Sequence, residues 1–99
     1  KTIRFIWWWQ LFLVEQYPYI DLEGGIRIFK YYVDEEDLVW HRDKEDREVA
    51  VMRGKGWKFQ FDNELPFLLP RGKLFKIPKM QYHRIIKGEG DLVLKIWSA

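Results

Sequence analysis

The stretch Gly72-Lys73-Leu74-Phe75-Lys76-Ile77-Pro78-Lys79-Met80-Gln81-Tyr82-His83 decides how this chain is read. It joins two strand-like runs, 73–77 and 82–87, across a proline, and it carries one of the chain's two histidines. The other, His41, lies far upstream in His41-Arg42-Asp43, at the end of another strand-like run. Two imidazoles and a nearby carboxylate on neighbouring strands can meet at one metal ion inside a small β-barrel.

The same grammar extends outward. Runs rich in β-branched and aromatic residues fall near 3–14, 26–33, 37–42, 47–53, 57–61, 66–69, 73–77, 82–87 and 91–97. Glu23-Gly24-Gly25, Gly54-Lys55-Gly56, Asp62-Asn63-Glu64 and Gly88-Glu89-Gly90 are among the clusters that reverse the chain between them. No run has a helical period, so the spacing predicts an all-β jelly roll or small barrel. In run 57–61, Trp57, Phe59 and Phe61 alternate with Lys58 and Gln60, which predicts one buried face.

Trp7, Trp8 and Trp9 break that alternation, because successive strand residues point to opposite faces. Their strand should be covered on both sides, either by a second copy of the chain in a homodimer or by a neighbouring part of the same domain. Residues 1–20 are accordingly read as a strand arm or dimerisation segment attached to a single domain spanning 1–99.

With 99 residues, 47% of them hydrophobic and 18% aromatic, the chain can build one well-filled core and has no room for a second domain. There is no cysteine, which excludes disulfides and thiolate metal sites, and any metal must be held by histidine and carboxylate. Ser98 is the only serine, so a Ser or Cys nucleophile is excluded as well. The apolar run Phe5 to Val14 is well short of the ~20 residues that cross a bilayer. With neither a membrane span nor a signal-type cleavage site, the chain reads as cytoplasmic. A net charge of +2 does not by itself imply a polyanion partner. Residues 34–48 hold eight acids against three bases, whereas 65–88 hold six bases and no acid, and mutual pairing in the fold is the expected outcome. The basic, aromatic run Gly54 to Phe59 could stack single-stranded nucleic acid only if its rings faced outward, so core packing is the favoured reading.

In its motifs the chain resembles the cupin superfamily over roughly residues 26–97. The family's second motif is Gly, five residues, Pro, one residue, Gly, two residues, His, three residues, Asn. Gly72, Pro78 and His83 stand at those spacings, with Met80 in place of the second Gly and Lys87 in place of the Asn. The first motif is His, one residue, His, three or four residues, Glu, six residues, Gly. His41 and Gly54 match its ends, Asp43 replaces the second His, and the Glu position falls on Arg47 or, with the longer gap, on Glu48. The resemblance implies a jelly-roll barrel with an interior site. Cupins include dioxygenases, isomerases, epimerases and non-catalytic binders, so the fold alone does not choose among them.

Strand parity chooses between Arg47 and Glu48. Val49 and Val51 make a better interior face than Ala50 and Met52, which places Arg47 inside and Glu48 outside. The resulting set is His41, Asp43 and His83 as metal ligands, for Fe, Mn, Ni or Zn, and Arg47 as the holder of a substrate carboxylate. The alternative is a metal-free binding module in which Arg47 pairs with Asp43 and the histidines contact each other or an anionic ligand. Trp40 and Tyr82 should point away from the site, and Tyr31 or Tyr32 could line the pocket.

Overall fold

The computed structural model describes residues 17–98. The Trp7 to Trp9 segment lies outside them. Eight strands form the body: β1 (Ile20–Leu22), β2 (Ile26–Phe29), β3 (Arg47–Lys55), β4 (Lys58–Phe61), β5 (Phe67–Leu68), β6 (Leu74–Ile77), β7 (His83–Ile86) and β8 (Glu89–Ser98). They make a five-stranded antiparallel sheet in the order β1-β2-β8-β3-β6 and a three-stranded one in the order β5-β4-β7. The two sheets face each other but are not closed into a hydrogen-bonded barrel among the described residues. No helix among those residues is long and apolar enough to cross a membrane.

The alternations read from the sequence place the core. Trp57 is wholly buried, Phe59 and Phe61 follow it inward, and Lys58 stays exposed. From the larger sheet Phe29, Val49, Val51, Leu92 and Leu94 face them. Each such side chain contributes about 1.5–3 kcal/mol when removed from water, so this layer is the main source of stability. The aromatic face of β4 is therefore core and unavailable for stacking bases.

One expectation needs correction. The run 37–42 is not a strand: a short 3-10 turn at Glu35–Asp37 occupies its start, capped by the Asp34 side chain accepting from the Glu36 N–H at 2.9 Å. Asp favours such local side-chain-to-backbone bonds over ladders, Glu is depleted in strands, and four acids in a row tip the balance. Only His41 survives as β structure, in an isolated bridge to His83. Of the segment 1–20 read as a strand arm or dimerisation segment, only residues 17–20 are described: the Tyr19 ring packs 5.5 Å from Phe29, and Ile20 opens β1.

The acidic and basic stretches do meet. Lys76 lies 3.8 Å from Glu48, and the Lys79 N–H donates to Asp46 at 2.8 Å. The same loop holds a strained residue, Met80, at φ 66°. It stands where the cupin motif has glycine, and a left-handed backbone costs a residue with a side chain about 1–2 kcal/mol. Met80→Gly should therefore stabilise the fold by roughly 0.5–1 kcal/mol after its cost in chain entropy. A thermal melt of the variant that is level with or below the parent would contradict this.

Candidate functional site

The His41–His83 bridge sets the site. The His41 N–H donates to the His83 carbonyl at 3.0 Å, and the His83 N–H donates back to the His41 carbonyl at 2.9 Å. Residues that exchange both bonds stand directly opposite each other with side chains on one face. The two imidazoles accordingly meet, with ring centroids 4.3 Å apart. Phe59 stacks on the His83 ring from the core side at 5.2 Å, and His83 is only 2% exposed.

Asp43 completes the cluster through the loop before β7. Its carbonyl accepts from the Met80 N–H at 2.7 Å, which ties the His41-Arg42-Asp43 segment to the Pro78 turn. Its carboxylate Oδ2 then lies 3.5 Å from His83 Nε2. One ligand atom from each of His41, Asp43 and His83 lies within 4.8 Å of the others. The sequence-based convergence of these three residues holds, although a bridge and a loop bond deliver it where a continuous strand was expected.

Main-chain carbonyls fix both rings. His41 Nδ1 is 3.0 Å from the Val39 carbonyl, and His83 Nδ1 is 2.8 Å from the Gln81 carbonyl. A carbonyl only accepts, so each Nδ1 carries a proton, which leaves Nε2 as the nitrogen that can offer a lone pair. Burial holds the His83 pKa below the ordinary imidazole range, and neighbouring His41 and Arg47 push the same way. The cluster is thus a set of acceptors facing one another. That donor set suits a divalent cation, and carbonyl-anchored imidazoles are the usual outer support of metal-binding histidines.

Arg47 sits where parity puts it, on the inner face with Val49 and Val51, while Glu48 faces outward to Lys76. Its Nε is 3.7 Å from Asp43 Oδ2, the same oxygen that faces His83. That is too long for a hydrogen bond, and Arg47 Nε is buried without a hydrogen-bond partner among the described residues. An unpaired buried guanidinium N–H is costly, and an anion placed against it would remove the cost.

The cluster opens into a cavity of about 360 Å³, within the usual range for small-molecule sites. Its walls are largely apolar, with Val49, Phe59, Ile77, Ile85, Leu94 and Ile96 from both sheets. Tyr31 and Tyr32 do not line it; they are well exposed, and Tyr17 and Tyr19 take that place. The tyrosines at 31 and 32 lie past the end of β2, beyond the ladder that would turn them inward. Trp40 and Tyr82 are partly exposed outside the cavity, beneath the guanidinium groups of Arg84 and Arg42.

Sequence reading missed Arg27. It lines the cavity, pairs with Asp21 through two bonds of 2.8 and 3.0 Å, and lies 3.7 Å over the Tyr19 ring. The signal was present: Phe29 faces inward, so Arg27, two residues earlier on β2, does too.

No family model matches the chain, and no curated protein matches it. Solved structures do. A cupin-2 domain containing protein from Shewanella frigidimarina superposes with a TM-score of 0.56 at 22% identity, over 91% of this chain and 89% of that one. Protein NMB1881 from Neisseria meningitidis superposes with a TM-score of 0.54 at 18% identity, over 92% of this chain and 94% of that one. The chain has a cupin-type fold, as its motif spacing led us to expect.

Proposed function

We propose that this protein uses its cupin-type cavity as a divalent-metal site for a small, largely apolar anion. His41 and His83 hold the ion through Nε2 and Asp43 through its carboxylate, with Fe, Mn, Ni and Zn all suited to such a set. The carrying observation is the geometry of the cluster, one ligand atom from each residue lying within 4.8 Å of the others, with both imidazole Nδ1 atoms occupied by carbonyls. Arg47 receives the anionic end of the ligand, and the apolar walls receive its body. A bound ion with open positions would supply Lewis-acid activation of the isomerase kind or, as iron, dioxygen activation of the dioxygenase kind. The residues' own part is to orient the ligand against Arg47, exclude water with Phe59 and Ile85, and keep His83 unprotonated.

A second reading is a metal-free cupin-fold binding module. The approach of Arg47 to Asp43 Oδ2 at 3.7 Å favours it, since that contact competes for a metal ligand. Metal analysis of protein purified without chelator separates the two. About one equivalent of Fe, Mn, Ni or Zn is expected, and the His41→Ala, His83→Ala double variant should carry none. Protein that emerges metal-free and takes up no ion on titration would leave the binding module.

A further inference from the structure

Arg47 shares the cavity with a second guanidinium. Arg27 enters from the far flank of the same sheet, where the ladder sets it opposite core-facing Leu94 of β8. Arg47 stands opposite Ser98, four positions along that strand and on its other side. Two strand spacings of about 4.8 Å and four steps of about 3.3 Å put the two main chains on the order of 16 Å apart. Their side chains narrow the gap. A hollow of about 170 Å³ is bordered by both arginines and by Ile96, and the same three residues line the main cavity. The wall between the two cations on this face is apolar, built from Leu94 and Ile96.

Arg27 is held in a way that leaves donors to spare. Asp21 accepts from its Nε at 2.8 Å and its Nη2 at 3.0 Å, and the Tyr19 ring lies 3.7 Å from the guanidinium carbon. A carboxylate on one edge and a ring on one face fix the plane of the group. Its Nη1 has no acceptor among the described residues, although a guanidinium carries five N–H donors. The Asp21 side chain is 54% exposed, so water screens its charge and Arg27 is only partly neutralised. Burial works against the Arg27 charge, but the Asp21 bond, with Tyr19 and Asp43 adding to it, holds the pKa above the ordinary arginine value. Asp43 is also the carboxylate that Arg47 approaches.

We propose that the ligand of this cavity carries two carboxylates joined by an apolar chain, one held at Arg47 beside the metal cluster and the other at Arg27. This rests on the reading above, in which Arg47 receives an anionic end, and it adds the class of molecule. The hydrocarbon middle lies along Leu94 and Ile96. A planar guanidinium matches a carboxylate edge to edge, which makes arginine the fitting residue at both ends. A ligand with one anionic group would leave the Arg27 donors facing its apolar tail, and a second carboxylate removes that mismatch.

Calorimetric titration of the full chain, with and without added Zn, tests this with the straight-chain diacids from glutarate to suberate, each beside the monoacid of equal length. At one chain length or more the diacid should bind at least about tenfold tighter than its monoacid, with or without the ion. Arg27→Gln should reduce that preference to within about twofold and leave the monoacid's affinity unchanged, whereas Arg47→Gln should weaken both acids. Asp21→Asn keeps the Arg27 charge and frees its bonded edge, so it should match or raise the parent's affinity for the diacid. A purely structural Arg27–Asp21 pair would instead make the two variants alike, both less stable and neither changed in binding. Diacid and monoacid binding equally at every length would overturn this proposal alone, as would a preference that survives Arg27→Gln. No binding of either acid would overturn it together with the role given to Arg47. A preference shown by protein that takes up no Zn would support it and remove the ion from the site.

Discussion

Replacing Arg47 by Glu should raise the affinity for a divalent cation by one to two orders of magnitude. At present a fixed positive charge stands 3.7 Å from the one carboxylate of the cluster, on the oxygen that faces His83. Two unit charges about 4 Å apart interact by about 4 kcal/mol at the effective dielectric constant of such a site. The Arg47 side chain is about one-third exposed, so solvent screens much of this, and tenfold to hundredfold is what remains. The substitution also gives the position the carboxylate that the cupin motif carries there. Calorimetric titration with Zn or Mn reads the change directly. An affinity equal to or below that of the parent would mean that position 47 does not face the ion.

Gly88→Ala should abolish the native fold. A methyl group there would stand inside contact distance of the Trp57 nitrogen and the Gly56 carbonyl carbon, and 2.5 Å from the Lys55 carbonyl oxygen. All three are backbone atoms, so none can rotate aside. The turn after β3 is in effect seated on the turn before β8, and Trp57 locks the pair by donating from Nε1 to the Glu89 and Gly90 carbonyls at 3.1 and 3.2 Å. Separating the turns would open the core at Trp57, which is wholly buried. Single substitutions that cost more than about 4 kcal/mol are rare, and a domain of this size holds only about 5–15 kcal/mol in all. Loss of near-UV circular dichroism and of a cooperative melt is the expected result, and a variant melting within a few degrees of the parent would refute the contact.

How much of this could be read from residues alone follows from the range of the interactions involved. Phe59 and Arg47 were placed correctly because alternation is a property of the strand itself. The meeting of His41 with His83 was legible through motif spacing. Its means was not, because a one-residue bridge leaves no periodicity behind. The expected strand over 37–42 failed for a local reason: Asp34 caps a turn, and the acids after it gain nothing from a ladder. Arg27 was overlooked because it sits between two isoleucines, where an arginine looks like a solvated residue. Its partners Asp21 and Tyr19 become neighbours only when β1 folds back on β2.

The reciprocal main-chain bonds between His41 and His83 restrict any ion the cavity accepts. Those bonds hold the two backbones at one separation, and each ring is tied through Nδ1 to a carbonyl, so the imidazoles have little freedom to move apart for a bigger ionic radius. The Asp43 carboxylate, by contrast, has no hydrogen bond among the described residues, its nearest charged or polar neighbours being His83 Nε2 at 3.5 Å and Arg47 Nε at 3.7 Å. On the metal reading proposed above, selection by ionic size would rest with Asp43, on the side where Arg47 stands.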